Sequence, residues 1–240
     1  MKQEQLHEFE VDKGTQLQLI MPEGVFVPTG TSTVLFEAVR SYVSKPGKLL
    51  DLGCGSGALG IALDKIDLIK HPLYASDLSE QAVTCIQKNA NLHSCPVIAK
   101  SGALFTPWGN ETFDYIVDDV SGIAEGIAEI SPWFDQVPCY SGIDGTDLVI
   151  QVLREAAVYL RPEGLLFFPI ISFSNEDKIL DAARENFDHV QQLAHEEWPL
   201  PKEMYEHTSK LKKLQSEGHI KFQEKFGMII FATDVYVAYN

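Results

Sequence analysis

The chain has 240 residues, 45% of them hydrophobic, and its 19 basic against 34 acidic side chains leave a formal net charge of −15. That length buries one substantial core, and the acidic field disfavours extended nucleic-acid binding, which rests on neutralising phosphates with Lys and Arg. No apolar run is long enough to span a membrane and Met1-Lys2-Gln3-Glu4-Gln5 is not signal-like; Cys54, Cys85, Cys95 and Cys139 lack the spacing of a metal site or a disulfide framework, so the expectation is a cytoplasmic protein with reduced thiols, no bound metal and no membrane contact.

Taken in order, residues 1–20 are polar with a few alternating apolar positions, and Leu17-Gln18-Leu19-Ile20 fits a short strand. Pro22, Gly24, Pro28 and Gly30 punctuate a loop around Val25-Phe26-Val27. Val34, Leu35, Ala38, Val39 and Tyr42 fall at helical spacing and predict a helix over Ser32–Val43, stopped by Lys45-Pro46-Gly47. The first core strand, 48–53, runs straight into Gly53-Cys54-Gly55-Ser56-Gly57 and a helix-like pattern from Ala58 to Ile66. A second strand, 72–77, ends on Asp77; Ser79 is placed to cap a helix over Glu80–Ala90, which leaves Asp77 free. Strands follow at 95–101, 113–117 and 165–171, with Arg161-Pro162-Glu163-Gly164 as a turn before the last and helices ending near Leu160 and spanning 175–186. Strands alternating with helices predict a doubly wound α/β sheet. Two further strands, 190–198 and 226–237, break that rhythm. The charged stretch 201–225 between them reads as a lid or recognition insertion, or as a solvated amphipathic helix and loop.

The chemistry concentrates at the first strand–turn–helix unit. Glycine tolerates φ > 0 and lets a ligand approach the backbone, and the helix start adds unpaired N–H groups. Such a unit is a nucleotide socket at the carboxyl end of a strand. Gly55-Ser56-Gly57-Ala58-Leu59-Gly60 satisfies the dinucleotide pattern G-x-G-x-x-G, so an NAD-dependent oxidoreductase is one reading. Asp51, two residues before the first glycine, would repel a pyrophosphate and suits a ligand carrying an ammonium and a sulfonium. Asp77 at the end of the second strand suits a ribose, whose two hydroxyls it can accept.

Asp51-Leu52-Gly53-Cys54-Gly55-Ser56-Gly57 resembles the first motif of class I S-adenosylmethionine (SAM) methyltransferases. The resemblance extends over about residues 24–172. Phe26-Val27-Pro28, Asn89-Ala90, Phe113-Asp114, Gly142-Ile143-Asp144-Gly145 and Arg161-Pro162-Glu163-Gly164 are similar to the group that methylates glutamine amides in peptide release factors and to related ribosomal N-methyltransferases. It implies a Rossmann-like, seven-stranded sheet with an antiparallel C-terminal strand. It also implies SAM as cofactor, held by Asp51, Gly53, Gly55, Gly57, Asp77, Leu78, Ala103 and Asp119. In that group the fourth strand leads into N-P-P-Y; here Asp119-Val120-Ser121-Gly122 stand in its place. Without two prolines the turn is less constrained, and no ring remains at Gly122. Asp119 is the candidate catalytic group, with Pro28, Val120, Ser121 and Tyr140 facing an acceptor that is a protein, an RNA component or a small molecule. A SAM-binding regulatory protein without turnover is the alternative the altered turn raises. The domain reading is an extension, 1–47, covering the site, and a SAM-binding domain, 48–240, with its insertion at about 201–225.

Overall fold

The computed structural model describes residues 5–135 and 137–240. Gln5–Asp12 (β1) and Thr15–Met21 (β2) form an antiparallel hairpin that stands apart from the main sheet. The chain then passes through Gly30–Tyr42 (α1), Leu49–Leu52 (β3), Ala58–Lys65 (α2), Leu73–Asp77 (β4), Glu80–Leu92 (α3), Val97–Ser101 (β5) and Phe113–Asp118 (β6). Glu125–Ala128 (α4), Asp147–Tyr159 (α5), Leu160–Ile171 (β7), Glu176–Asn186 (α6), His189–Pro199 (β8), Thr208–Ser216 (α7), Gln223–Lys225 (β9) and Met228–Tyr239 (β10) complete it.

The sheet runs β5-β4-β3-β6-β7-β10-β8, with β9 as a short addition on β10. β5, β4, β3, β6 and β7 are mutually parallel, whereas β10 lies antiparallel to both β7 and β8. The seven expected strands are therefore present with an antiparallel C-terminal strand; the eighth, three residues long, is too short to leave a pattern in the sequence.

Strand alternation sorts β3 between two cores. Leu50 and Leu52 pack with Val149, Val152 and Ile179 of α5 and α6, while Leu49 joins Leu35, Ile61 and Ile86 on the face of α1, α2 and α3. Asp51 belongs by the same alternation to the α2 face. The hairpin's Phe9, Val11, Leu17 and Leu19 complete that second core, so the polar N-terminus contributes a strand the sequence pattern understates. Arg161–Gly164 is a bulge inside β7: Phe113 pairs Leu160 and Tyr115 pairs Leu165, so the four residues loop out without ending the strand.

A third apolar cluster caps the carboxyl end of the sheet. Ile123, Ile127, Phe173 and Phe231 pack with Met204, Leu211, Leu214, Ile220 and Phe222 from the segment between β8 and β10. The charged stretch is thus an amphipathic helix with a one-turn-plus 3-10 segment (Lys202–His207), its lysines paired outward with Glu129, Glu224 and Asp177.

Candidate functional site

A cavity of about 710 Å³ lies where β3, β4 and β6 end, beneath the cap; small-molecule sites span roughly 300–1,000 Å³. Its floor is the turn from β3 into α2. Gly53 and Cys54 donate their N–H groups to the carbonyl of Ser76 at 2.9 and 3.0 Å, which ties the turn to the end of β4. Gly53, Gly55 and Gly57 all have positive φ, at 78°, 48° and 83°. Their surroundings differ. A Cβ on Gly55 would have only the Phe26 carbonyl within 4 Å, at 3.9 Å, so this residue borders open cavity. On Gly57 it would stand 2.4 Å from Ile86 of α3.

Gly57 therefore does not line the cavity, contrary to the sequence expectation. Its missing side chain lets α2 start against α3. Among the expected site residues it is the exception: Asp51, Gly53, Gly55, Asp77, Leu78, Ala103, Asp119, Pro28, Val120, Ser121 and Tyr140 all border the space.

Three carboxyls surround it, each held differently. Asp51 is 1% exposed, under the turn and not at its mouth, and accepts the Gly60 N–H at 3.0 Å on Oδ2. Burial pushes it up to about 7 against that hydrogen bond, with Asp119 and Asp77 adding to the rise. Asp77 accepts Ser79 N–H on Oδ1 and Gly55 N–H on Oδ2, both at 2.9 Å, and burial raises it too. Each of its oxygens keeps a second lone pair. Ser79 caps α3 by accepting the Ala82 N–H at 3.3 Å. Asp119 accepts the Ser32 hydroxyl at 2.9 Å on Oδ2; burial lifts it to about 6 while that bond opposes the rise. Among the described residues no Lys, Arg or His lines the cavity.

Sequence reasoning missed part of this ring. Ser32 comes from the first turn of α1, 87 positions before the carboxylate it meets. Trp198, Phe231 and Ile171 arrive from the strand ends on the far side of the sheet. Nothing local in the sequence marks them as neighbours of the glycine turn.

These buried acids make stability depend on pH. Burial also raises Asp118 to about 8, where Asp119 adds to the effect. Asp51, Asp118 and Asp119 hold protons in the folded state that the unfolded chain releases near its ordinary carboxylate range, so the stability they contribute is present in acid and lost as pH rises through about 6 to 8. Asp114 and Asp144 go the other way. Although burial alone raises them, hydrogen bonds from the Lys48 N–H and Arg161, and from Lys178 and Thr146, hold both below the ordinary range, so their effect is confined to strong acid. The melting temperature of the ligand-free protein should fall by about 5 °C or more between pH 5 and pH 9, on a scale of about 2–4 °C per kcal/mol for a chain of this size. A flat or rising profile by scanning calorimetry would contradict the burial of these acids.

Comparison with known proteins agrees with the geometry. Residues 11–119 match the family described as Methyltransferase small domain. The chain is similar to the release factor glutamine methyltransferase of Geobacter sulfurreducens, 28% identical over 64% of this chain and 57% of that protein. It is also similar to the ribosomal protein uL3 glutamine methyltransferase of Bradyrhizobium diazoefficiens, 33% identical over 51% of this chain and 40% of that one. The chain thus spans only about half the length of these curated relatives. In structure it resembles the ribosomal protein L11 methylase of Lactobacillus delbrueckii, with a TM-score of 0.56 at 19% identity, covering 90% of this chain and 83% of that one. It likewise resembles the T. thermophilus 16S rRNA N2 G1207 methyltransferase, solved with AdoMet and guanosine, with a TM-score of 0.64 at 15% identity, covering 98% and 50%. Residues 11–119 are thus similar to a methyltransferase small domain, and the chain has the α/β fold of the class I methyltransferases.

Proposed function

We propose that the protein is a methyltransferase that uses SAM as donor and methylates an N or O atom of its acceptor. The observation that carries this reading is a glycine-floored cavity at the end of β3 bordered by Asp51, Asp77 and Asp119, with no cationic side chain among its described lining residues. That charge pattern suits a cationic donor and repels the diphosphate of NAD. The residues fit the donor in other respects. Gly55 leaves the floor open where any side chain would intrude, and Asp77 has lone pairs to accept both ribose hydroxyls. Ser56 Oγ, buried beside the cavity, has no hydrogen-bond partner among the described residues and would serve the donor's carboxylate. Asp51 would face the ammonium, and Leu78 and Ala103 would flank the adenine.

When bound, SAM supplies a methyl group already electrophilic on sulfur, so that an acceptor lone pair bonds to the carbon while the C–S bond breaks and its electron pair stays on sulfur. The protein's part is placement. Asp119, oriented by Ser32, would accept the hydrogen bond of the acceptor's N–H or O–H and then its proton. Pro28, Val120, Ser121 and Tyr140 would hold the acceptor opposite the donor. The 1–47 segment acts as a cover: its Phe26, Pro28 and Thr29 border the cavity while its hairpin braces α2 and α3. Cys54, Cys85, Cys95 and Cys139 form no disulfide, which fits a cytoplasmic setting, and no helix among the described residues is long and apolar enough to cross a membrane.

Calorimetry with SAM and NAD side by side tests the donor. SAM should saturate a single site, and Asp77→Ala should weaken it roughly 10- to 100-fold, the scale of hydrogen bonds to a charged group. Binding of NAD without SAM would overturn the reading, and an unchanged SAM affinity in Asp77→Ala would remove that residue from the ribose role.

A further inference from the structure

The cavity continues well past the glycine floor, and the character of its walls changes. Phe26, Trp133, Phe134, Tyr140, Trp198 and Phe231 border this second half, drawn from four separate parts of the chain. Four of these rings pack in pairs, Phe26 on Phe134 at 5.1 Å between centroids and Trp133 on Phe231 at 5.5 Å, and Phe231 also stacks at 4.6 Å on Phe173, which lies outside the lining. Trp198 is pinned as well. Its indole N–H donates to Thr233 Oγ1 at 3.2 Å, and a Cβ on Gly30 would come within 2.8 Å of its ring, so α1 begins in direct contact with it. With its one polar atom already used, Trp198 offers the cavity apolar surface. Polar side chains are interspersed, with Thr29, Ser121, Gln151 and the Tyr140 hydroxyl in the same lining, and the one carboxyl near the aromatic rings is Asp119, held by Ser32.

We propose, resting on the donor reading above, that the acceptor is a small aromatic molecule, uncharged or cationic, whose ring lies among Phe26, Phe134 and Trp198 and whose single N–H or O–H meets Asp119. Aromatic walls favour a ring by stacked and edge-to-face contact. A polymer is poorly served by such walls. An RNA segment needs cations for its phosphates, and none lines the cavity among the described residues. A peptide carries an amide at every residue, and buried amides without partners are costly.

The test uses three probes with one ring system and different charge, titrated into protein saturated with S-adenosyl-L-homocysteine at pH 8 and followed by tryptophan fluorescence and calorimetry. They are 2-naphthol, 2-naphthylmethylamine as its ammonium, and 2-naphthoate. The first two should bind at least ~10-fold more tightly than the naphthoate. Phe134→Leu should weaken 2-naphthol ~3-fold or more, with the homocysteine affinity unchanged. In parallel, labelled methyl from SAM incubated with cell extract should appear in the organic-extractable small-molecule fraction. Equal binding of naphthoate, no binding of any probe below about 1 mM, or label confined to RNA or to protein would overturn the acceptor inference and leave the donor reading standing. Failure of S-adenosyl-L-homocysteine to bind would instead overturn the donor reading, and this inference with it.

Discussion

Asp119→Asn should lower kcat by ~10²- to 10⁴-fold, the range of a lost general base, while changing SAM affinity far less. The substitution keeps the shape of the side chain and an oxygen that can accept the Ser32 hydroxyl now 2.9 Å away. What it removes is the capacity to take a proton. Burial sets the wild-type group at about 6, so it is ionised and available as a base at neutral pH. The wild-type rate should accordingly rise with pH through about 6 and then level, and the variant should lose that limb. The measurement is labelled-methyl transfer into the small-molecule fraction at saturating SAM, across pH 5 to 8. Full activity in Asp119→Asn would mean that the residue only aligns the acceptor, as an amide in the same position can.

Two glycines two residues apart in the motif, Gly55 and Gly57, should fail in opposite ways. Gly57→Ala should cost about 2–5 kcal/mol of folding stability, from a left-handed backbone and an overpacked helix contact. The new methyl would stand 2.4 Å from Ile86 Cγ1 and 2.8 Å from its Cδ1, and Ile86 is fully buried with nowhere to retreat. Against a total of about 5–15 kcal/mol this is a large fraction. Gly55→Ala carries only the backbone strain, about 1–2 kcal/mol, because its methyl enters open cavity. It should remain folded and lose SAM affinity by ~10-fold or more, since the methyl occupies ligand space. Urea denaturation and SAM calorimetry on both variants separate the two. A stable Gly57→Ala, or normal SAM binding by Gly55→Ala, would show that the roles have been assigned to the wrong glycines.

The motif illustrates how much of the site can be read from residue order. Asp51, Gly53, Gly55 and Asp77 were legible because strand ends and positive-φ turns are local events, set by neighbours a few positions away. The same holds for the Ser79 cap and the apolar alternation of β3. Gly57 was legible as a glycine that must be there, yet its reason was not: whether a missing Cβ makes room for a ligand or for Ile86 depends on how α3 packs. β1 escaped notice because His7, Glu8 and Glu10 dilute its alternation, although Phe9 and Val11 are buried. Arg161–Gly164 has turn chemistry and does turn, but β6 pairs with the chain on both sides of it, so the strand survives as a bulge.

By itself, then, residue order determined the doubly wound sheet, the glycine socket with its acids, and the antiparallel end, all of which follow from periodicity and backbone preference. Only the tertiary structure decided what the socket opens onto. Ser32 meets Asp119, and Phe26, Phe134, Trp198 and Phe231 gather into one wall, through packing between segments that no repeat or spacing connects. The glycine turn is local and could be read from residue order, whereas the aromatic lining is assembled from distant segments and required the fold.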